Sequence, residues 1–149
     1  MRFRDCGACV ILELGGVRDR EMTGSGYEWR VGDVKITRIV EMEVAGGTRF
    51  LLPDASRDAC KPIDWLAPHF MDDKGNLIMS IHALIVDTGS HRIMVDTCLG
   101  NDKERAIAAW NKLQGPFLDD IADAGYPRES IDYVLCTHLH VDHVGWNTM

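Results

Sequence analysis

The sequence has no apolar run long enough to cross a membrane; none approaches the ~20 residues that a spanning helix needs. It has no excess of positive charge. The formal net charge is −7, which argues against unassisted binding to nucleic acid or to an anionic membrane. It has no disulfide framework either. Five cysteines is an odd count without regular spacing, so a small disulfide-built scaffold is not expected. The start of the chain is basic, but the apolar stretch from Cys9 to Leu14 is short and contains Glu13. No secretory signal is read there, and the cytoplasm is the default expectation. Internal repeats, low-complexity tracts, a serine nucleophile elbow and a phosphate-binding Walker loop are all missing.

What is present fits one domain with a real core: 149 residues, 46% hydrophobic and 26% charged, ordinary values for a soluble globular chain. Residues 1–26 differ from the rest. Gly15-Gly16 and Thr23-Gly24-Ser25-Gly26 bracket a charged stretch and read as a flexible leader. Cys6-Gly7-Ala8-Cys9 is a lone CxxC, open to a metal or redox role or to none, since no second pair supports it. The domain is expected over residues 27–149.

From Asp33 to Val44 apolar residues alternate, with Ile39 out of step. The pattern predicts a strand with a bulge or bend near Arg38. Residues 48–79 are irregular, because Pro53, Pro62 and Pro68 prevent a long helix. Their many apolar side chains suit either a functional loop or a loop clamped on the core, and His69 could line an entrance. Ile81–Asp87 and Arg92–Asp96 predict a hairpin turning at Thr88-Gly89-Ser90-His91. Ala83-Leu84-Ile85-Val86 reads as a strand buried on both faces. His82 and His91 read as satisfied or surface histidines. Asn101 and Glu104 suggest a capping box. Ile107, Trp110 and Leu113, then Phe117, Leu118 and Ile121, predict helix interrupted at Gly115-Pro116 and stopped by Gly125. Ile131–Cys136 reads as a short buried strand.

The strongest chemical signal follows that strand. His138, His140, Asp142 and His143 fall within six positions, and only six histidines occur in the chain. Imidazole nitrogen and carboxylate oxygen are the usual ligands of zinc and similar divalent ions. In extended chain, His138 and His140 point to one side and can share an ion. Asp142 keeps that parity, while His143 needs a backbone turn, which Gly145 would ease. The spacing suits two neighbouring ions, with His138 and His140 on one and Asp142 and His143 on the other. Two ions can generate hydroxide at neutral pH and clamp both oxygens of a displacement.

His138-Leu139-His140-Val141-Asp142-His143 resembles the HxHxDH signature of the metallo-β-lactamase-fold hydrolases. Ile93-Met94-Val95-Asp96-Thr97 resembles that family's earlier motif, a strand ending in aspartate. Gly145-Trp146-Asn147 and the hairpin look most like the lactonase and organophosphate-hydrolase-like branch. The resemblance implies an α/β fold, the first half of an αββα sandwich. It implies zinc or another divalent transition metal, two per complete site, on His138, His140, Asp142 and His143, with Asp96 behind them orienting ligands. It implies hydrolysis of a small-molecule ester, lactone or related substrate by metal-bound hydroxide, with Asp142 also passing a proton to the leaving group.

In the family a further histidine, a bridging aspartate and a last histidine come from downstream segments. The chain is therefore expected to correspond to the amino-terminal half of the domain and to hold an incomplete site. Exposure of the inner sheet face would favour self-association. A nuclease or oxidoreductase on this fold is disfavoured by the acidic balance and the lack of a flavin domain. The alternative outside enzymes is an inactive fragment acting as a weak metal-binding or interaction module.

Overall fold

The computed structural model describes residues 27–148; the expected leader and the CxxC lie outside the described residues. The frame is a five-stranded sheet in the order β1-β2-β3-β4-β5. Its strands are β1 (Glu28–Val31), β2 (Val34–Ala45), β3 (Ile78–Asp87), β4 (Arg92–Val95) and β5 (Tyr133–Leu135). The first four pair antiparallel in sequence order. β5 lies parallel to β4, which requires a long crossover. Among the described residues no helix is long and apolar enough to cross a membrane.

β1 was not foreshadowed by the alternation that starts at Asp33. Gly32, at φ 61°, permits the tight turn that sets Val31 opposite Val34. The β3–β4 hairpin forms with the expected turn, closed by the Thr88 amide donating to His91 O at 3.0 Å. The expected bulge in β2 lies further along than Arg38. Ile39 keeps the ladder opposite Ala83, and the register slips between Val40 and Met42, leaving Glu41 without a cross-strand partner.

The core lies on one sheet face. Ile39, Ala83, Ile85 and Met94 pack there with Cys98, Phe117, Ile121 and Tyr126. The covering helix is α2 (Phe117–Asp123), whose Phe117 and Ile121 are buried four apart on one stripe. Each such side chain contributes about 1.5–3 kcal/mol when fully buried. Leu84 and Val86 point to the opposite face and are half-buried. β3 is thus covered fully on one side, not on both, because α2 packs on one side only.

Three further expectations are corrected. The run from Asn101 forms no long helix, only a 3-10 turn at Ala108–Trp110. Asp102 and Lys112 take left-handed backbone at φ 58° and 51°, which a right-handed helix cannot contain. Asn101 does not cap; it brackets Gly115, donating Nδ2–H to its carbonyl at 2.8 Å and accepting its amide at 2.9 Å. The segment folds back on itself through Asp102 N to Leu113 O (3.1 Å) and Lys112 N to Lys103 O (2.8 Å). β5 is not buried: Tyr133, Val134 and Leu135 are 55%, 48% and 56% exposed. It is the outermost strand, and among the described residues nothing pairs with its free edge.

Residues 48–77 form an irregular arm with one short helix, α1 (Arg57–Cys60), capped by Ser56 Oγ. Cys60, Leu66 and Met71 give it a small core of its own. Phe50, Leu51, Leu52, Trp65 and Phe70 remain exposed. His69 is exposed on this arm, His91 is exposed beside Tyr133, and His82 is half-buried on β3.

Candidate metal centre

β4 and β5 run parallel with Val95 opposite Leu135, so their following loops leave the sheet at one end. Such carboxyl ends of parallel strands are where α/β sheets build sites. Asp96 follows β4, and Thr137 to His143 follow β5.

Asp96 takes left-handed backbone, φ 61°, and its amide donates to Leu135 O at 2.8 Å. Its buried carboxylate thereby faces the second loop. Oδ1 accepts the Thr137 amide at 2.7 Å, and Oδ2 accepts the Thr137 hydroxyl at 2.8 Å. Oδ2 also meets His143 Nδ1 at 2.8 Å. Burial opposes ionisation of this carboxyl, but the bonds from His143 and Thr137 outweigh it and hold it below its ordinary value.

The network dictates tautomers. A carboxylate only accepts, so His143 Nδ1 carries the proton and a neutral ring keeps its lone pair on Nε2. Thr137 spends its hydroxyl proton on Asp96, so it accepts from His138 Nδ1 at 3.0 Å. His138 likewise keeps its lone pair on Nε2. Asp96 orients one histidine directly and the other through Thr137.

The outward nitrogens face ligand-type atoms. His138 Nε2 lies 3.0 Å from His140 Nδ1, and His143 Nε2 lies 3.5 Å from Asp142 Oδ2. The second contact sets a lone pair against a carboxylate oxygen, an arrangement that a cation between them relieves. A turn, closed by the His143 amide donating to His140 O at 3.0 Å, swings His143 back under the loop. Its ring centroid is 4.0 Å from that of His138, closer than His140 at 4.5 Å. The extended reading, with Asp142 continuing the His138–His140 parity, therefore fails at this turn. The donors suit divalent ions in kind and in pairs. Among the described residues no group of three or more His, Cys, Asp or Glu is arranged around a common point.

Gly145 has another task than easing the turn. A Cβ there would lie 1.9 Å from Leu99 O, so the loops after β4 and β5 touch backbone to backbone. Thr97 N donates to His143 O (2.8 Å), Gly145 N to Cys98 O (2.7 Å) and Trp146 N to Thr97 O (3.0 Å). Cys98 is fully buried, and burial, then the charges of Glu41, Asp96 and Asp142, push its thiol up. Buried thiols of this kind are ordinarily inert. Cys136 lies just beyond β5 and accepts from Asn147 Nδ2 at 3.3 Å, so it is not packed within the strand. Thr137 and Glu41 were missed by sequence reasoning; Glu41 sits on the polar parity of the alternation, and only Ile39 two residues earlier is out of step.

Residues 78–149 match the family model described as the metallo-beta-lactamase superfamily. No curated protein matches the chain. Among solved structures, a hydrolase named AbOPH in the beta-lactamase superfamily is 25% identical with a TM-score of 0.56, covering 83% of this chain and 39% of its own. AidC, a dizinc quorum-quenching lactonase, is 21% identical with a TM-score of 0.57, covering 80% and 38%. A probable metal-dependent hydrolase from Staphylococcus aureus is 18% identical with a TM-score of 0.57, covering 78% and 41%. The chain thus spans about two fifths of the length of these structures.

Proposed function

From a chain that has the metallo-β-lactamase fold, with residues 78–149 matching that superfamily, we propose a metal-dependent hydrolase whose dinuclear centre is supplied in part by the loop after β5. His138 and His140 would hold one ion, and Asp142 and His143 the other. Zinc is the favoured metal, because imidazole and carboxylate suit it. The observation that carries this reading is the Asp96–Thr137 network, which turns the unprotonated Nε2 of His138 towards His140 and that of His143 towards Asp142. When bound, divalent ions would lower the pKa of a water and polarise the substrate's acyl or phosphoryl oxygen.

The chain's own residues do the rest. Asp96 and Thr137 hold the two rings in one tautomer. The turn at His140–His143 brings Asp142 beside His143, where its carboxylate can take a proton and return it to the leaving group. The preferred substrate is a lactone or related ester, a reading supported by the likeness to the AidC lactonase and the AbOPH hydrolase. Two protein ligands per ion fall short of the three usual in catalytic zinc sites. We therefore expect turnover to need ligands beyond those described, with the whole protein's activity resting on them.

A second reading, an inactive metal-binding module, is favoured by the lack of any three-ligand group among the described residues. Zinc titration of the purified chain by calorimetry, paired with an acyl-homoserine lactone assay, separates the two. Binding of one to two ions, abolished by His138→Ala and by His143→Ala, supports the metal centre, and lactone turnover beside it supports the hydrolase. Binding without turnover in a longer chain that carries the further ligands favours the module, and no binding in the unsubstituted chain would sink both.

A further inference from the structure

Glu41 is the bulged residue of β2, lying between Val40, paired with His82, and Met42, paired with Ile81. A bulge re-aims the side chain it carries. This one sends a carboxylate off the sheet into the contact between the two loops. Glu41 Oε2 accepts the Leu99 amide at 2.7 Å, and Oε1 accepts the Gly100 amide at 3.1 Å. Oε1 also accepts the Trp146 indole N–H at 2.7 Å. Three N–H donors from two chain segments thus converge on one partly buried carboxylate.

The two segments are the ones that carry the candidate ligands. Leu99 and Gly100 continue the loop that starts at Asp96. Trp146 lies three residues after His143 and stacks on Phe117 at 5.8 Å between centroids. The backbone contact between these loops has no room for adjustment, since a Cβ on Gly100 would meet Gly145 O at 2.7 Å. Whatever sets the spacing of the loops sets the spacing of Asp96 and His143.

We propose that Glu41 is a positioning residue for the metal loop: it ties the loop after β4 to the loop after β5 and so fixes Asp96 against His143 and Thr137. This rests on the proposed metal centre for its consequence, though not for its geometry. Glutamine is nearly the same shape but turns one acceptor into a donor facing a donor. Removing a group that orients ligands costs roughly 10–100-fold in metal affinity.

The test compares the unsubstituted chain with Glu41→Gln and Trp146→Phe, using Co2+ titration followed by absorbance and NMR of the histidine rings and the Trp146 indole. The expected result is Co2+ binding weakened by about tenfold or more in Glu41→Gln. Shifted ring resonances of His138, His140 and His143, with far-ultraviolet dichroism retained, are expected with it. A brace for stability alone would lower the urea midpoint and leave the ring resonances where they were, and that result overturns the proposal. If the unsubstituted chain takes up no Co2+, the metal reading fails, yet ring resonances moved by Glu41→Gln still uphold positioning and unmoved ones still overturn it. Should Glu41→Gln not fold, Trp146→Phe decides. It removes one of the three donors and keeps an aromatic ring on Phe117, and unmoved histidine resonances in it count against the proposal.

Discussion

Thr137 couples Asp96 to His138 through a single hydroxyl, giving its proton to the carboxylate and accepting one from the ring. Valine has nearly the same shape but can do neither. Thr137→Val is expected to weaken zinc binding by roughly tenfold, whereas Thr137→Ser should stay near the original; calorimetric titration measures both. Equal affinity in the valine variant would remove Thr137 from the network. His82 offers a separate test by pH. Burial, then the neighbouring Arg38 charge, depress its pKa, so below about 6.5 the unfolded chain takes up a proton that the folded chain resists. Stability is then full above that value and falls as pH drops below it. The urea midpoint should decline from pH 7.5 to pH 5, and less steeply in His82→Gln. The histidine cluster was legible as a candidate because its spacing is local, and Asp96 through the resemblance of its strand to a family motif. Thr137 and Glu41 were not, because their roles come from bonds spanning 41 and 58 residues, which no sequence period records.

The contact between the loops after β4 and β5 depends on Gly145 at the level of the element. An added methyl would meet Leu99 O at 1.9 Å, Leu99 C at 2.0 Å and Cys98 O at 2.6 Å, all backbone atoms of a buried segment. Gly145→Ala must separate the loops, and overpacking of this kind costs about 1–3 kcal/mol. Urea unfolding should register that loss, and a change under ~0.5 kcal/mol would mean the loops part freely. The same urea series should find Phe117→Ala costing about 3–5 kcal/mol, since Phe117 is 1% exposed at the centre of the core. The hairpin and α2 were legible because local apolar patterning and turn residues agree there. The helix read from Asn101 was not, because its apolar spacing is helical while Asp102 and Lys112 adopt left-handed backbone. A hydrophobic period does not reveal such breaks when no glycine or proline marks them.

At the scale of the whole molecule, two apolar surfaces are exposed among the described residues. The arm around residues 48–77 exposes Phe50, Leu51, Leu52, Trp65 and Phe70, but they sit on irregular backbone. β5 exposes Tyr133, Val134 and Leu135 on the outermost strand of the sheet, where main-chain groups unpaired among the described residues could add hydrogen bonding to apolar burial. Edges of this kind template pairing with another chain, and natural proteins often blunt them with lysine. We infer that β5 governs self-association of this chain. Sedimentation velocity should detect dimers or larger species that grow with concentration. Leu135→Lys should shift the distribution back toward monomer, since a charge would be desolvated at the contact. Trp65→Ser should leave it unchanged. A monomer at all concentrations would remove the edge as a contact, and association lost only in Trp65→Ser would move it to the arm. A sheet edge is the stronger candidate because its hydrogen-bonding groups repeat in register along the strand, whereas the arm offers apolar side chains without a repeating backbone partner.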